Sequence, residues 1–327
     1  MAKERTRVLV TGGAGFIGSH VVDRLVKDGY DVRVIDDLST GKLDNIQGHL
    51  GSGKVDFVKG DIRDASLVRK TLDGVDVVVH LAALTSVPFS VENPDLTFDV
   101  NLLGTLNLLR SSIEERVDRF VFVSSCAVCG DPESLPVDEE ARVNPISPYA
   151  ESKLVAERYC LGFNERQLLR SVVLRFFNVY GPRQGMNDYS GVITRFIEFS
   201  KQGLPLVIYG DGSQTRDFVN VHDIVEAVLV SMKHNGAEGE VFNIGSGKPT
   251  SINELAKTVL ELAGLDLEIR YEKSRLGDIK DSYADISKAK KFLGYAPKVS
   301  LRDGLRALLE EKTVPPNYGF QRCQFAL

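Results

Sequence analysis

No stretch of this chain is apolar for long enough to cross a bilayer, and its start, MAKERTRVLV, lacks the apolar core of a secretory leader. A cytoplasmic protein is expected, with no membrane partner. The 40 Lys and Arg never gather into a run, so nucleic acid is not an expected partner either. An anionic ligand would have to be met by individual arginines. Cysteine is scarce, four in 327 residues, which suits a reducing compartment. Cys126 and Cys129 form a C-x-x-C, but no second Cys or His pair stands near enough in sequence to complete a zinc site. No metal is expected, and the two thiols read as small buried hydrophobes. Internal repeats are absent too. What is present, 43% hydrophobic and 26% charged residues at a net charge of -5, is the composition of an ordinary globular protein. The length allows one enlarged α/β domain, or a nucleotide-binding domain with a smaller second one.

Arg7–Val10, Val32–Ile35, Val75–Val79 and Phe120–Val123 are short, Val-rich apolar runs, the pattern of strands buried on both faces of a parallel sheet. Helical patterns lie between them: Ile17, Val21 and Leu25 with Gly29 as the stop, then Leu102–Ile113. Strand and helix alternate, so a Rossmann-type doubly wound parallel sheet is expected. After about Asn178 the alternation loosens and Gly-rich turns multiply, which predicts a smaller α/β C-terminal lobe that binds substrate. Val221–His234 and Val241–Ile244 again read as helix and strand, so the chain is expected to return to its first domain. The expected division is 1–178 with the returning segment 218–244, a lobe of 179–217 and 245–313, and a loosely packed tail over 314–327.

The first strand runs into Thr11-Gly12-Gly13-Ala14-Gly15-Phe16-Ile17-Gly18, which opens a helix. Gly12 allows a tight turn, Gly15 lets a pyrophosphate approach the backbone, and Gly18 allows close packing, while the helix N-terminus offers N–H groups to phosphate. A second strand ends in Asp36, 18 residues beyond Gly18, where a carboxylate would bond the adenosine ribose hydroxyls and repel a 2'-phosphate. NAD is therefore expected rather than NADP. Asp61-Ile62 and His80-Leu81-Ala82-Ala83 read as further strand ends on the same carboxyl edge. Asp61 is placed to face the adenine, and the small Ala82 and Ala83 let a cofactor pass close to the backbone.

Ser147-Pro148-Tyr149-Ala150-Glu151-Ser152-Lys153 reads as a helix start, with Ser147 as N-cap and Pro148 in the first turn. Tyr149 and Lys153 then share a face. An ammonium near the phenol, together with the positive nicotinamide ring, favours its ionised form, and moving a phenol from ~10 to about 7 takes ~4 kcal/mol, which two desolvated cations can supply. Such a pattern alone also describes an exposed helix face. Ser124-Ser125, ending the Phe120–Val123 strand, would bring a hydroxyl able to pass a proton. The plain reading of Ser125 is a turn serine.

With these segments in place, the chain resembles the extended short-chain dehydrogenase/reductase family, and within it the UDP-glucose 4-epimerase and UDP-N-acetylglucosamine 4-epimerase group. The resemblance rests on TGGAGFIG, Asp36, Asp61-Ile62, Asn101, Ser125 and the YAESK segment. It extends through Leu174–Arg183, Asp211–Asp217 and Arg275–Asp278, covering roughly residues 8–297. It implies Ser125, Tyr149 and Lys153 as the catalytic residues. It implies NAD contacts from Phe16, Ile17, Asp37, Ser39, Thr40, Gly41, Leu81, Ser124 and Phe176, besides those above and Asn101. For a UDP-sugar substrate it implies Thr85, Ser86, Val87, Asn178, Val192, Val207, Tyr209, Arg216, Arg275, Asp278 and Ser282. Two arginines facing a diphosphate make charge-assisted contacts that Lys reproduces poorly. The bland alternative pairs Arg216 with Asp217 or Asp223, and Arg275 with Asp278.

The chain departs from the family pattern at Cys126 to Cys129, which removes an aromatic ring beside Ser125, and at Phe176 and Phe89. Related 4,6-dehydratases carry an Asp-Glu pair where Cys126-Ala127 stand, so the resemblance implies C4 epimerisation ahead of dehydration or decarboxylation. A non-catalytic NAD-sensing module on the same fold is the alternative from another class. Ser282, small where a bulky Tyr restricts some members to unsubstituted hexoses, implies room for an N-acetyl group. Helices over Asp95–Glu115 and Tyr149–Phe163 are apolar on more than one face, so a homodimer is expected.

Overall fold

A computed structural model describes residues 5–51, 53–186, 191–274 and 279–311. Its strands are β1 (Arg7–Thr11), β2 (Asp31–Asp36), β3 (Val55–Lys59), β4 (Val77–His80), β5 (Arg119–Ser125), β6 (Ser171–Phe176), β7 (Asn178–Tyr180), β8 (Leu206–Tyr209), β9 (Thr215–Asn220), β10 (Val241–Ile244), β11 (Pro249–Ser251), β12 (Ile269–Glu272) and β13 (Asp281–Ser282). Helices α1 (Phe16–Lys27), α2 (Gln47–Leu50), α3 (Ala65–Thr71), α4 (Val87–Glu92), α5 (Pro94–Phe98) and α6 (Gly104–Glu114) precede α7 (Pro148–Glu165). After it come α8 (Val192–Lys201), α9 (Val221–Lys233), α10 (Ile252–Ala263), α11 (Ser287–Leu293) and α12 (Leu301–Glu310).

Seven strands form a parallel sheet in the order β10-β6-β5-β4-β1-β2-β3. The period of two along each strand divides its side chains between two layers. Val8, Val10, Val32, Val34, Val121 and Val123 pack with Val21, Val22 and Leu25 of α1 and Ile224 and Val228 of α9. Leu9, Ile35, Val78, Phe120 and Phe122 pack on the opposite side with Val68 of α3, Leu108 of α6 and Cys160 of α7. This is the doubly wound, Rossmann-type fold expected. Chain order reverses between β1 and β4, which opens a crevice at their carboxyl ends. The second lobe has its own core, including Tyr180, Phe196, Ile208, Phe218, Leu255 and Leu305, between α8, α10 and α12 and the short strands.

Several boundaries differ from the expected ones, each for a local reason. The fourth strand is Val77–His80, because the Val75 N–H closes a turn on the Leu72 carbonyl. The third strand ends at Lys59, and Asp61 lies beyond it in a turn closed by Asp64 N–H. The helix expected at Leu102 is preceded by a π-helical turn, Asp99–Leu103, that runs on from α5 into α6. Residues 284–295, expected in the lobe, return to the first domain: Ala284, Ile286, Ala289, Leu293 and Tyr295 are buried in its core. Tyr295 also donates its hydroxyl to Gly245 O at 2.9 Å. Arg275, Asp278 and the 314–327 tail lie outside the described residues. Among the described residues no helix is long and apolar enough to cross a membrane.

Candidate active site

At the end of β1 the chain turns on Gly12, whose φ is +68°, and a Cβ there would lie 2.9 Å from Ala82 N. A side chain at position 18 would be harsher still, with its Cβ 2.1 Å from Gly12 O. The glycines thus let three backbones converge where the sheet order reverses, and α1 begins there with no side chain capping its first N–H groups. Asp36 ends β2 beside this turn. Its buried carboxylate accepts from Ala14 N and Leu38 N, both at 2.9 Å, so it also ties the 36–41 loop to the glycine turn. Asp37, Ser39 and Thr40 are exposed on that loop, and Gly41 packs against the Asp36 carboxylate. Asp61 pairs with Arg63 at 2.5 Å, while Ile62 is buried under Gly104. Leu81, Ala82 and Ala83 line the crevice edge half-buried, and Ser124 and Phe176 close β5 and β6 beside it.

Helix α7 begins as expected, with Ser147 Oγ accepting from Ala150 N at 3.2 Å and Pro148 in its first turn. Tyr149, Lys153, Glu157 and Cys160 follow at helical spacing and are all buried against the sheet. A bidentate pair between Glu157 and Arg175 of β6, at 2.9 and 3.0 Å, holds that face down. The ammonium of Lys153 donates to Val123 O at 2.8 Å and sits 4.9 Å from the centre of the Phe122 ring. Burial pushes Tyr149 up to about 12 and Lys153 down to about 8, and only the Ser125 hydroxyl pulls Tyr149 the other way. The expected lowering of the phenol calls for Lys153 and a positively charged nicotinamide ring together; in the protein without that ring, burial prevails. Bringing Tyr149 to neutral pH takes ~7 kcal/mol of further stabilisation of the phenolate, at ~1.4 kcal/mol per unit.

Asn101, on the π-helical turn, is buried and fully engaged within the protein. Its Oδ1 accepts from Leu84 N at 2.8 Å, and its Nδ2 donates to Leu84 O at 2.9 Å and Ser152 Oγ at 3.1 Å. The following loop carries Thr85, exposed, and Ser86, which caps α4 through Phe89 N at 3.1 Å; Val87 is 42% exposed on that helix.

In the lobe a cavity of about 170 Å³ is lined by Asn178, Val192, Val207, Tyr209 and Arg216, all expected from sequence. Ser282 is not part of that lining; it lies buried on the strand pair β9/β13, as the register partner of Arg216. Arg216 donates to Thr215 O at 2.8 Å and Lys280 O at 3.2 Å. Asp217 and Asp223 take their bonds elsewhere, from Ser246, Gly247 and Ala284 and from Lys298 and Val299. Sequence reasoning missed Arg195, Phe196, Phe199, Ile208, Gln214 and Ile252, which complete the lining. The guanidinium of Arg195 lies 6.0 Å from the Phe199 ring and 5.8 Å from Tyr209. Its signal was the spacing 192, 195, 196, 199, one face of a helix. The described lining thus sets two arginines among aromatic and aliphatic side chains.

A model of the NAD dependent epimerase/dehydratase family matches residues 8–245. The chain belongs to that family. It is 43% identical to a putative UDP-glucose 4-epimerase of Methanocaldococcus jannaschii, over 92% of this chain and 97% of that one. UDP-glucose 4-epimerase of Thermotoga maritima, solved with UDP-glucose, superposes with a TM-score of 0.89 at 41% identity, covering 93% of this chain and 98% of its own. UDP-N-acetylglucosamine 4-epimerase of Methanobrevibacter ruminantium, solved with UDP-N-acetylmuramic acid, also gives 0.89, at 38% identity and 94% and 98% coverage. UDP-glucuronic acid decarboxylases and a dTDP-glucose 4,6-dehydratase are among the similar proteins as well. The cofactor of this family is NAD, and the residues here fit it: a glycine turn that side chains would fill, an uncapped helix start and a buried acid at the end of β2. Ser124 Oγ is buried with no hydrogen-bond partner among the described residues, an orphan that a ligand in the crevice can satisfy.

The depressed Lys153 has a consequence measurable without cofactor. Between about pH 8 and 10.5 the unfolded chain holds this proton more tightly than the folded protein does, so the lysine's contribution to stability rises with pH. Lys153→Met should remove a gain of about 2 kcal/mol between about pH 7.5 and 9.5 in urea unfolding. Equal pH slopes in both proteins would mean that the ammonium is hydrated.

Proposed function

We propose that this family member is a UDP-hexose 4-epimerase. The observation that carries the reading is the pairing of two sites: Ser125, Tyr149 and Lys153 on the cofactor side of the cleft, and a cavity in the lobe whose described lining carries Arg195 and Arg216 beside aromatic and aliphatic side chains. Tyr149 takes the proton of the sugar 4-hydroxyl, Ser125 relays it, and Lys153 holds the helix end and adds positive charge. NAD, when bound, takes the hydride from C4 and returns it. A 4-keto sugar tethered by its UDP can turn over between these two steps, so binding groups should grip the nucleotide and leave the ring loose. Arg216 and Arg195 serve the diphosphate end in this reading, with Asn178, Val192, Val207 and Tyr209 around the nucleoside.

Removing only the phenol oxygen tests the base. Tyr149→Phe should keep its fold and NAD affinity while interconversion of UDP-glucose and UDP-galactose falls by at least about a hundredfold. Near-normal turnover would overturn the assignment.

Ser282 is small where the family resemblance sets a bulky Tyr in members restricted to unsubstituted hexoses, and on this basis N-acetylated sugars are proposed as substrates too. In Ser282→Tyr, turnover of UDP-GlcNAc should fall at least about tenfold further than that of UDP-glucose. Equal losses would show that Ser282 does not set the choice.

Val87, Val91, Leu96, Leu103 and Tyr159 are exposed apolar residues on α4, α5, the π-helical turn and α7. They support a two-fold homodimer through these helices. Light scattering at micromolar concentration should return twice the chain mass of 36.0 kDa, and a monomer mass would refute the pairing.

A further inference from the structure

Between the glycine turn and the catalytic helix runs a chain of buried polar side chains to which the proposed reaction assigns no part. Thr11, His80, Thr105, Asn101 and Ser152 are each at most 1% exposed, yet every link between them is a hydrogen bond. His80 Nδ1 lies 2.7 Å from Thr11 Oγ1, and His80 Nε2 lies 2.8 Å from Thr105 Oγ1. Thr105 Oγ1 lies 2.6 Å from Asn101 O, and a carbonyl can only accept, so the threonine proton is committed there. Nε2 must then carry the imidazole proton and donate it to Thr105. Burial keeps the ring neutral, and the ammonium of Lys153 opposes a second proton on it. Nδ1 is therefore an acceptor, and the Thr11 hydroxyl donates to it. That leaves the Thr11 oxygen's lone pairs for Leu81 N and Ala82 N, which donate to it at 3.2 and 3.1 Å. The proton order is unique from one end to the other.

We propose that His80 is a positioning residue whose single tautomer sets the cofactor crevice. By fixing which way the Thr11 hydroxyl points, the ring pins two successive peptide N–H groups where β4 leaves the sheet, against the bare face of Gly12. Its other nitrogen orders Thr105 and, through it, the π-helical turn that presents Asn101. Asn101 in turn holds both backbone groups of Leu84, and its donor to Ser152 leaves that hydroxyl to bond Tyr149 O at 2.7 Å. One imidazole thereby keeps the nucleotide turn, the 84–87 loop and the start of α7 in register. The rings of Phe120 and Phe122, with centroids 5.9 and 5.7 Å away, wall it from water. The inference rests on the family's use of NAD and on no assumption about the sugar.

Imidazole nitrogen NMR of the full chain, labelled at its five histidines and saturated with NAD, tests the tautomer directly. His80→Gln identifies the resonance. The expected result is a neutral ring protonated at Nε2 that does not titrate between about pH 6 and 9. The Nδ1–H tautomer, or a titration in that range, would overturn the proposal. Function is tested by equilibrium dialysis of NAD against Thr11→Val and Thr11→Ser. Serine keeps the hydroxyl and should bind within about threefold of the parent, while valine strands Nδ1 and the Ala82 N–H, leaving Leu81 N–H on the Thr11 carbonyl alone, and should bind at least about tenfold more weakly. Equal affinities in the two variants would refute the positioning role, and should valine prevent folding, the tautomer measurement on the unaltered protein still decides. Loss of epimerase activity with NAD affinity and tautomer as expected would count against the sugar assignment alone.

Discussion

Everything in this molecule depends on the contact between two backbones, where Gly12 at the end of β1 meets Ala82 just past the end of β4. Those strands are neighbours in the sheet but far apart in sequence, and their connections wind in opposite directions, which is why a crevice opens there. Closing that crevice with a Cβ at Gly12 would push the 81–82 backbone away, and the loop carrying Thr85 and Ser86 would go with it. The small residues are thus positional before they are permissive. They bring the start of α1, the end of β2 and the start of the sugar-side loop within one ligand's reach.

Arg216 donates to the Thr215 and Lys280 carbonyls, and the acids nearest it in sequence serve the backbone. Asp217 and Asp223, which stand near Arg216 in sequence, are turned into structural acceptors for backbone N–H groups of 246–247, 284 and 298–299. Those same bonds fasten the returning segment to the lobe. The buried Glu157–Arg175 pair anchors α7 to the sheet; breaking it by removing one partner would leave an unpaired buried charge, at a cost of about 3–5 kcal/mol. Tyr149 and Lys153 sit in the same dry layer and share its penalty. Each is held toward its neutral form, so the protein alone is not primed and ionisation waits on charge brought by ligands.

The features legible in the sequence were those with local signatures. A glycine turn between a Val-rich strand and a helix, an acid at the next strand end, a Ser-Pro helix start with Tyr and Lys four apart: each is set by backbone sterics or helical period within a few residues. What stayed hidden required contacts across the fold. The π-helical turn at Asp99–Leu103 has no composition of its own, and the ties of Asn101 to Leu84 and Ser152 span 17 and 51 residues. Arg195 looked like any solvent-facing arginine until α8 was placed over β8. The return of 284–295 to the first domain was invisible because Ala289 and Leu293 suit either core, and only the exposed flank of β10 decides between them. The surroundings of Tyr149 were hidden for a related reason: spacing places an ammonium nearby, but only the fold shows that it also donates to Val123 O.

The wall beside Ser125 bears on which outcome of a C4 oxidation the pocket can support. Eliminating a neighbouring hydroxyl from a 4-keto sugar requires a base for the adjacent C–H and an acid for the departing oxygen. Here that wall is the short 3-10 turn Cys126–Cys129, with Ala127 offering no proton at all. Burial pushes the Cys126 thiol up to about 12, so at neutral pH it is neither an effective acid nor a thiolate base. Return of the hydride needs neither group, so this turn supports the proposed epimerisation over dehydration: two un-ionised thiols and an alanine supply neither the base nor the acid that elimination requires.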